Sequence, residues 1–246
     1  FFLLILLARH KFHSRTLFHI LKTNFLSILA MALFIGSNWF IYIYAVQTHR
    51  IVEGSLAYFI TPLANIAMGA LLFGEKLTRG MKVAALLAGS AVLYLMIQSG
   101  DVPWIALSLA FSFTSYGLFK KKSAVGGLET SFLESFILLL PAIVAAILFR
   151  AQQSTSLVLT DYFLLMGGGV ITGLPVLLFS LSMQTVPLNH VGVLQFIGPT
   201  LQFLIGYFAF HESVSTPKMT AFVLVWISVA IYINEIRVKE RANPAR

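Results

Sequence analysis

Residues 47–75 read QTHRIVEGSLAYFITPLANIAMGALLFGE, and residues 184–212 read QTVPLNHVGVLQFIGPTLQFLIGYFAFHE. A shift of 137 residues, which sets Gln184 on Gln47, makes eight positions identical. They include Gln47/Gln184, Thr48/Thr185, Phe59/Phe196, Ile60/Ile197, Pro62/Pro199, Gly69/Gly206 and Glu75/Glu212. Apolar identities arise easily by chance, but paired prolines within apolar runs and paired terminal glutamates do not. The chain therefore contains an internal repeat.

Composition sets the medium. Across 246 residues, 58% of side chains are apolar and 11% are charged, with a mean hydropathy of +0.87. Soluble domains carry about 25% charged residues. A membrane-spanning helix needs about 20 mostly apolar residues, and eight stretches qualify: 26–46, 55–74, 83–98, 102–119, 131–149, 161–183, 191–210 and 217–235. The period-two alternation of a membrane barrel is not visible. Backbone groups in lipid must be satisfied within the segment, so the expected fold is an all-α polytopic transmembrane bundle.

The repeat then acquires a direction. Four spans separate 55–74 from 191–210, so the two copies cross the membrane in opposite senses. Inverted repeats of this kind are characteristic of secondary transporters. The same shift sets Phe1 on Leu138, inside a span, which leaves 102–119 without a partner. The expectation is five spans per half, with the first half truncated at its N-terminus by roughly 35–45 residues. The domain reading is a first repeat over 1–100, a second over 101–235 and a basic tail over 236–246.

Charge supports the same topology. Of the 17 Lys and Arg residues, only Arg50, Arg150 and Lys218 fall on one side of the alternating spans; the others gather in the loops around 9–22, 76–82 and 120–122 and in the tail. That asymmetry is the positive-inside rule and predicts a cytoplasmic C-terminus. It accounts for the net charge of +8 without a nucleic-acid partner; the expected partners are a small-molecule substrate and the lipid bilayer. The oligomeric state has no signature in the sequence.

Proline removes a helix hydrogen bond to the carbonyl four residues earlier. Pro62 and Pro199 thus free the carbonyls of Tyr58 and Gln195. Asn65 and Gln202, equivalent under the shift, lie on the same stripes. Interrupted helices at matching positions point to a midplane binding site, and polar groups within a span face the interior or a wet cavity. Asn38, Trp39 and Tyr42, in NWFIYIY, are further candidates for a cavity wall. Glu134, a carboxylate within a span, is the candidate for ion or proton coupling, though Lys120, Lys121 and Lys122 are near enough to pair with it.

Other features have structural readings. Thr78 and Ser215 suit helix N-caps after Glu75 and Glu212, Glu53 suits a helix start, and Trp104 suits an interfacial anchor. The glycines of GGGVITG at 167–173 suit close helix packing. His10, His13 and His19 belong to a basic loop rather than a metal site. With no cysteines and no nucleotide, metalloprotease or nucleophile-elbow motif, neither a cofactor nor an enzyme is expected.

The stretches NWFIYIYAVQTHRIVEGSLAYFITPL, VPWIALSLAFSFTSYGLFKK, LESFILLLPA and GLPVLLFSLSMQTVPLNHVGVLQFIGPTLQFLIGYFAFHE resemble the RarD (chloramphenicol-sensitive protein) group of EamA permeases, in the drug/metabolite transporter superfamily. The likeness covers nearly the whole chain. It implies ten helices in two inverted halves, a central cavity and the bacterial inner membrane. It also places Asn38, Trp39, Glu53, Tyr58, Pro62, Glu134, Gln195, Pro199 and Gln202 at family-motif positions. Thr61 and Ala57 depart from the Asn and Gly usual there. The function implied is transport of a small metabolite or drug-like molecule by alternating access; a membrane-embedded sensor or accessory subunit that keeps the fold is the alternative.

Overall fold

The computed structural model describes residues 1–8, 13–48, 51–99, 104–150, 158–208 and 216–242. Among them there is no strand. The helices are α1 (Phe2–Ala8), α2 (Ser14–Thr23), α3 (Phe25–Gln47), α4 (Ile51–Phe73), α5 (Arg79–Ser99), α6 (Trp104–Lys122), α7 (Gly127–Arg150), α8 (Leu159–Thr185), α9 (Leu188–Leu194), α10 (Ile197–Phe208) and α11 (Thr216–Ala242). Five described helices are long and apolar enough to cross a bilayer: α3, α5, α7, α8 and α11. The protein is an all-α, multi-pass membrane bundle. Its outer surface exposes residues such as Leu164, Leu165, Met166 and Ile171 of α8, which only lipid solvates well.

Three of the expected spans fall outside these five. The 55–74 stretch lies on α4, where the described apolar helix is the shorter Ala57–Phe73. The described part of the 102–119 stretch lies on α6, whose middle holds Ser112, Thr114 and Ser115, all buried. Its polarity points into the protein, where Ser112 Oγ donates to the Leu109 carbonyl and accepts from Asn38, so the low hydropathy exposes no polar group to lipid. The described part of the 191–210 stretch is two helices, α9 and α10, interrupted at Gln195–Phe196.

The chain divides into two compact units, residues 1–37 with 115–185 and residues 38–114 with 186–246. In the first unit, α7 packs on α8 and receives α1 and α2. Of the glycines at 167–173, Gly173 lies against the Phe1 ring, but Gly167, Gly168 and Gly169 meet nothing within 4 Å. Close packing in that run is therefore confined to its last residue.

In the second unit, α5 packs on α11 through small residues. Ala84, Ala88 and Ala91 of α5 and Ala221 of α11 are buried, and the Ser228 hydroxyl donates to the Ala84 carbonyl at 2.6 Å. Such side chains let two backbones approach closely in a bilayer. The core of this unit also gathers Phe59, Ile105, Leu109 and Phe196. Helix α4 packs on α5, α9 and α10. Tyr44, near the end of α3, meets Trp104 at the start of α6 with ring centroids 5.9 Å apart, a pairing suited to the membrane interface.

Candidate functional site

The paired prolines are accommodated differently. Helix α4 runs unbroken through Pro62, so the expected interruption is absent in the first copy. In the second copy the chain breaks at Gln195–Phe196, and Pro199 then falls in the first turn of α10. A proline there loses nothing, because first-turn N–H groups have no intrahelical partner anyway. The Phe196 carbonyl at the break accepts from the Thr200 hydroxyl at 2.8 Å, and Trp226 Nε1 donates to that hydroxyl at 3.0 Å.

The break is docked on α4. Asn65 is fully buried, and its Nδ2 donates to Gln195 Oε1. The sequence repeat pairs Asn65 with Gln202 as equivalents; the fold instead joins Asn65 of one copy to Gln195 of the other. Asn65 Oδ1 is buried with no hydrogen-bond partner among the described residues. Thr61 is buried one turn earlier. Gln202 and Pro199 belong to α10, but their side chains lie outside the described residues.

Two further contacts hold α9 in place. A Cβ on Gly192 would lie 2.6 Å from the Pro62 carbonyl oxygen and 3.3 Å from the Ile66 nitrogen, so α9 rests directly on the α4 backbone. At the far end, Gly74 takes a left-handed φ of 63°, a conformation glycine adopts without strain. The turn lets the Glu75 N–H reach back to the Gly69 carbonyl at 3.0 Å and sends the Glu75 carboxylate to α9. Its Oε1 accepts from the Leu188 N–H at 2.7 Å, a first-turn donor beside the positive end of the helix dipole. Thr78 Oγ1 accepts from Met81 N at 3.3 Å and caps α5, as its position before Arg79 indicates. Glu212 and Ser215 lie outside the described residues, as does the Glu53 side chain.

Gly192→Ala should therefore be costly. A backbone oxygen cannot swing aside as a side-chain terminus can, so α9 must lift from α4. Overpacking of this kind costs about 1–3 kcal/mol. Thermal unfolding of the purified variant in detergent measures the loss; an unchanged midpoint would show that α9 is not seated as described.

The remaining candidates on α3 have distinct settings. Asn38 Nδ2 donates to the Leu109 carbonyl at 2.9 Å and to Ser112 Oγ at 3.0 Å, which ties α3 to α6. Trp39, Tyr42 and Tyr58 are each more than a third exposed, and Tyr42 and Tyr58 hydrogen-bond through their side chains. Asn38 thus bridges two helices, whereas the three aromatic side chains keep accessible surface.

Glu134 lies in the first unit. Its Oε1 is 2.7 Å from Lys120 Nζ, and both side chains are almost wholly buried. Tyr116 donates to Oε2 at 3.1 Å. Lys120 also donates to Thr130 Oγ1 at 2.7 Å and Ser131 Oγ at 3.1 Å. Three acceptors meet the three donors of the ammonium. Tyr116 and Lys120 are one helical turn apart on α6, so both face α7. Of the three consecutive lysines, Lys120 is the one on that face. No cluster of three or more metal-ligating residues occurs among the described residues.

No family model matches the chain. A solved crystal structure superposes with a TM-score of 0.61 at 20% identity, covering 81% of this chain and 74% of its own, which is a likeness of fold. Among curated proteins, Protein RarD of Salmonella typhi is 37% identical over 239 residues, 95% of this chain and 81% of that protein. Protein RarD of Streptomyces exfoliatus is 42% identical over 200 residues; this match spans 80% of the chain but only 64% of that relative's length. The uncharacterized transporter YojE of Bacillus subtilis is 38% identical, over 86% of this chain and 72% of its own. Identity of this degree over most of both chains means that the protein belongs to the RarD group of permeases.

Proposed function

We propose that the protein is a secondary transporter, without cofactor or catalytic centre, that moves a small metabolite or drug-like molecule by alternating access. The observation that carries this reading is the interruption at Gln195–Phe196, held on α4 by the buried Asn65 amide. In secondary transporters, discontinuous helices at a repeat boundary carry the substrate site. Tyr58, Pro62, Asn65, Gln195, Pro199 and Gln202 are the residues proposed to form it, with Asn38, Trp39 and Tyr42 contributed by α3. Glu134 is the proposed coupling residue, its carboxylate exchanging a proton when the Lys120 contact opens. The setting is the bacterial plasma membrane.

The test compares metabolite uptake and efflux in sealed vesicles carrying the protein with vesicles lacking it. Gradient-driven accumulation of one compound class supports transport. Saturable binding without flux would instead make the chain a sensor that keeps a transporter fold.

Orientation is tested separately. A reporter fused after Arg246 should read cytoplasmic, and one inserted within 152–156 should read external, because the basic loops lie on the cytoplasmic side. A reversed pair of signals would overturn both the orientation and the antiparallel sense of the two repeats.

A further inference from the structure

Helix α2 carries a feature that transport does not use. It is strongly amphipathic, and its apolar side docks within the first unit, where Leu17 is buried and α2 contacts α7. Phe18 is left out of that contact, with 69% of its surface exposed. Arg15, three residues before it, and Lys22, four residues after it, share its face, and both are exposed. Neither has a carboxylate partner among the described residues. The nearest acidic residue downstream in sequence is Glu53. Arg9 and Lys11 add two more cations just upstream.

Position defines what this face meets. A single residue, Asn24, separates α2 from α3, and α3 is a membrane-length apolar helix. At 1.5 Å per residue, Lys22 lies within about one turn of the hydrocarbon edge. Phe25 and Leu26, the first residues of α3, are themselves exposed and continue the apolar surface from Phe18 toward the lipid. An exposed aromatic ring between two cations that lack a carboxylate partner among the described residues, at headgroup depth, is the arrangement by which an amphipathic helix inserts its apolar flank and binds phosphate with its basic one.

We infer that α2 is an anionic-phospholipid site, in which Arg15 and Lys22 hold the headgroup phosphate and Phe18 enters the acyl boundary. The chain has no cysteine, so Phe18→Cys can carry a single bimane label, which replaces the ring with a fluorophore of similar character. In vesicles containing phosphatidylglycerol, the label should shift to the blue and be quenched by lipids brominated near the headgroup. In pure phosphatidylcholine both effects should be much weaker. Adding Arg15→Gln and Lys22→Gln should weaken the preference for the anionic lipid by about tenfold. The charge-matched pair Arg79→Gln and Lys82→Gln, in another basic loop, should leave it intact.

Three results would overturn the inference. The first is a label that iodide quenches equally in both lipids. The second is a preference lost to the same extent in the two charge-matched variants. The third is inorganic phosphate at millimolar concentration displacing the lipid effect, which would make the cations a soluble-anion site.

Discussion

Lys120→Met should destabilise the protein by about 3–5 kcal/mol, the usual consequence of removing one partner from a buried ion pair. The variant leaves the Glu134 carboxylate buried, with the Tyr116 hydroxyl as a remaining donor. It also deprives Thr130 and Ser131 of their shared donor. The double variant Lys120→Met/Glu134→Leu should recover much of the loss, because apolar groups of similar volume often replace a buried pair at little cost. Unfolding midpoints of the two single variants and the double variant give the coupling between the residues directly. Additive losses would show that the 2.7 Å contact contributes nothing to stability. The transport assay adds a second axis. A double variant that folds normally but no longer couples flux to a proton gradient would identify Glu134 as the coupling group, and one with intact coupling would reduce the pair to a structural tie between α6 and α7.

Pro199→Ala is expected to abolish transport while leaving the fold close to wild type, and Pro62→Ala is expected to do less. Alanine at 199 restores a backbone donor that can reach the Gln195 carbonyl. With that donor α9 and α10 can join into one continuous helix, erasing the interruption proposed to line the site. Regaining a helical bond is not destabilising in itself, so activity and stability should separate. Helix α4 is already continuous through Pro62, so alanine there straightens a helix rather than fusing two. Asn65→Leu, which removes the amide that holds Gln195, should alter substrate affinity or selectivity. Transport per folded molecule is the deciding measurement. Full specific activity in Pro199→Ala would end the interrupted-helix mechanism, and losses that merely follow stability would assign the prolines to packing.

The helical, lipid-facing character of the chain was legible because hydropathy acts over whole segments and does not depend on which neighbour covers which face. The special status of the two proline regions was legible for the same reason, as a pattern repeated at a fixed shift. Where the helix breaks was not. Equivalent prolines suggest equivalent breaks, yet Pro62 lies mid-helix and Pro199 opens one, since the outcome depends on tertiary contacts such as Gly192 on the Pro62 carbonyl. The Asn65–Gln195 bond was hidden too. It crosses between the copies, whereas a self-alignment shows only which positions correspond. Glu75 looked like a local turn residue because its target, the Leu188 N–H, is remote in sequence. The choice of Lys120 among three lysines followed from its one-turn spacing to Tyr116, a signal present in the sequence but uninformative until α7 was known to face it.

The contacts that seat α9 join residues 113 and 130 positions apart. A ribosome adding about 5–20 residues per second takes on the order of ten seconds to synthesise that interval. During that time α4 is in the bilayer with its Asn65 amide still lacking the acceptor it will finally use. Nascent α4 therefore needs a temporary host, whether water at the insertion machinery or a polar group on α5, before the second copy emerges. Synthesis interrupted between residues 75 and 188 should yield a chain that the cell's membrane quality control removes quickly, and translational pausing in that window should lower the yield of folded protein more than pausing after residue 208.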